Sequence, residues 1–450
     1  MIVVIGAGPA GLAAAWYAAR AGHDVTVVDR APVVGGMAAS REVAGLRVDH
    51  GSHRLHPATD PSLLADLRGL LDGDLQTRSR NGRIKLAGRW VGFPLRTTDL
   101  LRNLPPRFAA GAAYDVATGP LRRGRSDTFD ASLRAGLGPT VVDAFYGPYA
   151  QKLWATDAAD LDGALARKRV SASSPSAIVR KLVRGARPEG RVFLYPRGGF
   201  GQLSEAVAGA AVAAGADLRL GVSVAAIEPG EPSVELDDGT RIEAGTILST
   251  MPVAALVSLL GGPAPDLRHR AMLIVWLVLD QARWTPFDAH YLPDPSHPVA
   301  RLSEPKNYRD SRDDPAGMTV LCAEVPCWEG DELWTSGDEE LARLVVDALG
   351  AEGLPPVTPV GVEVARLPRV YPLYTPGFAW EQARVEAWLA EAAGERVVTL
   401  GRQGLFVPDN THHVMAMGRA AAACLRSDGT LDAAAWQSAR AEFRRFVVED

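Results

Sequence analysis

The sequence predicts an α/β fold: a discontinuous parallel-sheet domain joined to a mixed α+β companion. Three observations carry this. An apolar strand at the N-terminus runs into Gly6-x-Gly8-x-x-Gly11 and an Ala-rich helix that continues to about Arg20. Two further buried apolar stretches, Thr246–Thr250 and Arg396–Leu400, stop abruptly at Met251-Pro252 and Gly401, as strands of the same sheet would. Between them, residues 260–385 hold longer apolar runs with Trp276, Trp284 and Tyr291, which predict a second sheet.

The glycine spacing makes the first domain Rossmann-like. Gly6 allows the tight turn, Gly8 lets the backbone approach a pyrophosphate, and Gly11 lets helix and strand pack closely. The helix N-terminus adds unpaired N–H groups and a partial positive charge. The second strand, Asp24–Val28, ends in Asp29, where an acid meets a ribose hydroxyl. Gly35-Gly36-Met37 follows and leaves backbone room beside a dinucleotide.

Further along, residues 57–190 read as mostly helical with one hairpin at Arg83–Phe93. Strands at Asp217–Leu220, Ser223–Ile227 and Ser233–Leu236 follow an amphipathic helix over Leu203–Ala214, and a last helix covers about His412–Leu425. The dinucleotide domain is therefore expected from 1–56, 195–260 and 390–450, and the substrate domain from 57–194 and 261–389.

Composition narrows the function classes. The chain has 450 residues, 47% of them hydrophobic and 22% charged, as in a globular protein too long for one ordinary core. A net charge of −5 argues against nucleic acid as partner. Cys322, Cys327 and Cys424 have neither zinc nor redox-pair spacing, so no metal is expected and the thiols read as reduced in a cytoplasmic protein. The N-terminus reads as a core strand, so no signal peptide is expected. The most apolar run, Ala271–Leu279, is too short to span a bilayer, which leaves peripheral membrane contact open. The stretch 167–191 is basic; it reads as a solvated helix face and loop or, more sharply, as a rim attracting a phosphorylated substrate or a membrane surface. No Gly-x-Ser-x-Gly nucleophile motif occurs.

Together, the glycine motif, Asp29 and Gly35-Gly36 resemble the FAD-dependent amine oxidase and protoporphyrinogen oxidase superfamily. A narrower resemblance is to UDP-galactopyranose mutase-like flavoproteins. It rests on Gly51-Ser-His53-Arg-Leu-His56, on Lys152-Leu-Trp154, on Pro196-Arg-Gly198-Gly199-Phe200, and on Gly401-Arg402 through Asp409-Asn410 to Val414-Met415. The resemblance implies FAD held by Gly6, Gly8, Gly11, Asp29, Gly35, Gly36 and Met37. At the flavin end it implies Arg402 and the helix start at His413, Val414 and Met415, whose dipole favours an anionic reduced flavin. It places the catalytic candidate His53 beside the flavin, where it would orient substrate or move a proton. Lys152, Trp154 and Tyr374 are the candidate substrate wall.

The sequence departs from the mutase pattern at the expected diphosphate contacts. An arginine there falls near Ser171, with Arg167 or Arg169 reachable by a shift, and a tyrosine pair falls at Pro408 and Asp409. The leading expectation is thus an FAD-dependent oxidoreductase of small-molecule or secondary metabolism, taking a hydride from an organic, potentially anionic substrate. The alternative is a redox-neutral sugar mutase that uses reduced FAD as nucleophile. A flavin-free NAD(P) dehydrogenase would leave Gly35-Gly36 and Gly401-Arg402 without a role.

Overall fold

The computed structural model describes residues 1–95, 97–122, 127–169, 191–230 and 232–448. Its first sheet is five-stranded, in the order Val397–Thr399, Thr246–Ser249, Ile2–Ile5, Val25–Asp29, Asp217–Leu220. Every neighbouring pair in it is parallel. The three central strands are buried almost throughout, so none of them carries the regular polar–apolar alternation of a strand with one wet face. The glycine-loop helix Pro9–Arg20 lies between two others, Gln202–Ala213 and Thr411–Ala423. Gly418 permits the tighter of these contacts, since a Cβ there would lie 2.2 Å from the Ala10 carbonyl oxygen.

The second sheet has seven strands built around His269–Leu279, which pairs antiparallel with both Thr319–Cys327 and Gly361–Pro372. Ala271–Leu279 is therefore a strand, as its length requires. Trp276 and Tyr291 lie in strands of this sheet, whereas Trp284 lies in the connection before Ala289–Tyr291. The hairpin Gly82–Leu86/Arg89–Phe93 does not stand alone; it extends this sheet by parallel pairing with Ala289–Tyr291. The reading of 57–190 as otherwise helical missed one strand, Leu75–Ser79, which pairs with Val192–Pro196 across a long sequence gap. Its Leu-Gln-Thr-Arg-Ser sequence has little apolar signal, so only the partner strand defines it. The strands Val224–Glu228, Ser233–Leu236 and Arg241–Glu243 form a separate antiparallel sheet. Of the basic stretch 167–191, residues 170–190 lie outside the described residues.

Two buried clusters meet at the first sheet. One contains Ile2, Val4 and the Ala-rich face of the glycine-loop helix; the other runs from Val3 and Ile5 through Trp154 to Met272, Ile274 and Trp276. Each buried Val, Leu or Ile in them contributes about 1.5–3 kcal/mol. The first sheet thus has one face on helices and one toward the second sheet. Parallel open sheets bind ligands at the carboxyl ends of their strands.

Candidate functional site

The loop that leaves Ile2–Ile5 is shaped by glycine. Gly6 has φ +107°, and a Cβ on it would lie 2.1 Å from Thr250 Oγ1. A Cβ on Gly11 would lie 1.9 Å from the Gly6 carbonyl oxygen. At Gly8 a Cβ would meet nothing within 4 Å, so its backbone faces open space. The Asp29 carboxylate accepts from Ala7 N at 2.6 Å and from Ala31 N at 2.8 Å, which ties the end of the second strand to the loop. Gly35 N donates to Ala7 O at 2.8 Å, and the Cβ position of Gly36 is 3.5 Å from Gly8 Cα. Gly401 closes the third side: its φ is +78° and its Cβ position is 2.9 Å from Ala10 Cβ. Gln403 Nε2 reaches Met37 Sδ at 3.6 Å. Segments far apart in sequence, 6–11, 35–37 and 401–403, therefore converge on one edge.

At the start of helix Thr411–Ala423, His413 acts as half of a capping box. Its Nδ1 accepts from Asn410 N at 3.4 Å and its ring stacks on Phe446 at 4.5 Å. Burial pushes its pKa down to about 4. Val414 and Met415, next in the helix, are buried.

His53 lies toward the second sheet. Its ring stacks on Phe200 at 5.2 Å, and its Nε2 lies 3.2 Å from His50 O. A carbonyl only accepts, so Nε2 carries the hydrogen and Nδ1 offers a lone pair. Burial lowers the pKa of His53, which favours the neutral ring.

Beside it, Arg301 donates to both oxygens of Glu324, at 2.8 and 2.7 Å, and Glu324 Oε1 also accepts from Ser52 N at 2.8 Å. Tyr149, Tyr291 and Tyr371 all lie within electrostatic range of Arg301. Sequence reasoning missed this cluster. Its one signal was Glu324 in the otherwise apolar run Thr319–Cys327, because a charge in a buried strand demands a partner.

Tyr371 links this cluster to Arg402. The Arg402 guanidinium lies 5.6 Å from the Tyr371 ring centre and that of Arg169 lies 4.9 Å from it. Arg402 Nη2 donates to Val370 O at 2.8 Å, while Nε of Arg402 and Nε of Arg169 have no hydrogen-bond partner. Burial, reinforced by the Arg169 charge, pushes the Arg402 pKa down to about 10. Both carboxylate oxygens of Asp409 are also buried without hydrogen bonds, and Lys168 Nζ stands 3.9 Å away. Burial raises the Asp409 pKa to about 6. Orphaned polar atoms of this kind each cost about 1–3 kcal/mol unless a ligand or solvent satisfies them.

The expected substrate wall is differently disposed. Lys152 Nζ donates to Leu292 O at 2.8 Å and Val299 O at 3.0 Å, and Tyr374 Oη donates to Phe406 O at 2.8 Å. Those polar groups are engaged in joining segments of the fold. Trp154 is buried and edge-on to Phe129 and Tyr371, with Arg169 over its ring at 5.5 Å. Arg197 donates to Asp74 at 3.1 Å on a half-exposed turn. Among the described residues no group of three His, Cys, Asp or Glu is placed to hold a metal ion.

The NAD(P)-binding Rossmann-like domain family matches residues 4–70. Coproporphyrinogen III oxidase of Propionibacterium freudenreichii subsp. freudenreichii is 25% identical across 87% of this chain and 84% of its own. D-amino acid dehydrogenase of Dechloromonas aromatica (strain RCB) is 41% identical over 99 residues, 21% of this chain. That match spans only 23% of the dehydrogenase's own length. Among solved structures, reduced UDP-galactopyranose mutase superposes with a TM-score of 0.79 at 20% identity, covering 94% of both chains. Cyclohexylamine oxidase from Brevibacterium oxydans IH-35A superposes with a TM-score of 0.68 at 18% identity, covering 98% of this chain and 99% of its own. The chain thus carries a Rossmann-like dinucleotide-binding segment at its start and shares its overall fold with reduced UDP-galactopyranose mutase and cyclohexylamine oxidase.

Proposed function

We propose that the protein is an FAD-dependent oxidoreductase that removes a hydride from an organic small molecule bearing an acidic group. The observation that carries this reading is the open backbone edge at Gly8, faced by Gly36, with Gly401 against Ala10 and Gln403 reaching Met37 beside it. Gly6, Gly8 and Gly11 would hold the pyrophosphate, and Asp29 the ribose. Gly35, Gly36 and Met37 would line the middle of the cofactor, and Arg402 with the 413–415 turn its flavin end. When bound, FAD supplies a two-electron acceptor.

The chain's own side chains do the rest. Neutral His53 directs its Nδ1 lone pair as a hydrogen-bond acceptor for substrate or as a proton acceptor. The Glu324 carboxylate holds Arg301 and the Ser52 amide in fixed positions, so the tyrosines around Arg301 present a preorganised surface. Arg169 and Arg402 flank Tyr371 with unused donors, and an acidic group placed between them relieves their mutual repulsion. We read the three buried, free thiols as reduced, in keeping with a cytoplasmic site of action.

The likeness to reduced UDP-galactopyranose mutase favours a second reading, a redox-neutral mutase that needs its flavin reduced. One experiment separates the two: an anaerobic absorbance spectrum before and after dithionite, then on readmitting air. Flavin bands that bleach and return quickly support an oxidase. Bands that return slowly, with turnover seen only in the reduced enzyme, support the mutase. If no flavin band exists even after FAD is added, both readings fall.

A further inference from the structure

One helix of the substrate-side region faces the wrong way for a soluble surface. Helix Pro106–Thr118 turns Phe108, Gly111 and Asp115 toward the protein, spaced along one stripe. A Cβ at Gly111 would lie 2.7 Å from Thr140 Oγ1, so this is the packed side. Asp115, its one acid, is 5% exposed; it accepts from Thr140 N at 2.8 Å and pairs with Arg122 at 3.2 Å. The outward side is apolar: Ala109, Ala113, Tyr114, Val116 and Ala117, continued by Leu121 in the following turn. Tyr114 is 69% exposed and Leu121 85%. Of eight large apolar side chains exposed among the described residues, three lie within 114–121. Scattered exposed apolar residues need no explanation, but a clustered set on one helix face does.

The charges around this face select its occupant. Among the described residues of 97–122 the charged side chains are Arg102, Arg107 and Arg122 against Asp99 and Asp115, in a chain whose net charge is −5. Arg102 and Arg107 are exposed, whereas Asp99 is turned onto Gly92 N at 2.5 Å and Asp115 is buried. Two copies of the chain meeting through this face would oppose arginine with arginine. An anionic bilayer meets both the apolar face and the arginines favourably. Phe108 also packs in a cluster with Tyr291, bordered by Tyr149, so the face covers the tyrosine side of the site. We propose that helix Pro106–Thr118 and the turn through Leu121 form an interfacial docking surface for anionic lipid membranes.

The test is co-sedimentation of the full-length protein with vesicles of phosphatidylcholine, alone or mixed with phosphatidylglycerol. The expected result is binding to the mixed vesicles only, weakened by high salt. The double variant Y114S/L121S should weaken it about tenfold through lost apolar burial. Both side chains are exposed, so its melting temperature should match that of the parent; R107E, at an exposed arginine, is the second variant and should weaken binding too. Light scattering is run in parallel. Absence of binding to mixed vesicles, binding unaffected by these variants, or a dimer that they dissociate would each overturn the proposal.

Discussion

Around Gly8 the edge is mainly backbone, supplied by three short segments, 6–11, 35–37 and 401–403. Around Tyr371 it is side chains, drawn from Arg169, Arg301, Glu324, Arg402 and Asp409. The first region owes its shape to atoms that are missing: no Cβ at Gly6, Gly11 or Gly401 could be accommodated without displacing neighbours. The second owes its character to charges retained in the interior at a desolvation cost. A backbone-built edge suits a cofactor common to many proteins, whereas a side-chain-built pocket can be re-specified one residue at a time. Stability and ligand retention should therefore separate cleanly in the first region and stay entangled in the second.

The sharpest break of that comparison lies within the glycine loop itself. Gly11→Val pushes side chain into the Gly6 carbonyl and should cost more than about 3 kcal/mol in a denaturant melt, up to loss of folding. Gly8→Val, facing open space, should melt within about 0.5 kcal/mol of the parent yet fail to retain flavin. If it keeps its flavin, the open edge is not the cradle. In the second region Glu324→Leu leaves Arg301 buried without its carboxylate and should cost about 3–5 kcal/mol. By contrast with Gly8→Val, any loss of turnover there should come with loss of stability.

pH sharpens the comparison further. Burial, with help from Arg402, pushes the His269 pKa to about 4 from 6.5. A depressed folded pKa gives stability that is present above pH 6.5 and lost as pH falls through about 4, worth about 3 kcal/mol. Asp409 has the opposite sign: its raised pKa of about 6 gives stability present below about 3.8 and lost as pH rises through 6. His269→Phe should therefore flatten the acid limb of a melting-temperature profile, and Asp409→Asn should raise the melting temperature at pH 8 but not at pH 3. A profile unchanged by both would mean that these charges are not desolvated in the folded protein.

The smallest effect is expected at the surface pair Arg41–Glu363, 2.5 Å apart with both side chains about two-fifths exposed. Glu363→Gln should change stability by less than about 1 kcal/mol. A larger loss would show that outer ion pairs, as well as buried ones, brace the second sheet.

The amino-acid sequence alone determined the parts whose chemistry is local. The Gly6–Gly11 spacing after an apolar strand specified the turn and the open edge. The apolar cores Ile247-Leu248 and Val397-Val398, stopped by Pro252 and Gly401, specified two strands of the first sheet. Tertiary structure alone decided which distant side chains meet. Leu75–Ser79 is a strand because Val192–Pro196 lies beside it. Lys152 holds carbonyls at 292 and 299 although its motif suggested a substrate wall. Arg169, Tyr371 and Arg402 gather across more than two hundred residues. Periodicity and turn chemistry act over a few residues and so leave a mark in sequence. Contacts between remote segments depend on how the two sheets pack, and that geometry is set by the sum of many small burial energies rather than by any one motif.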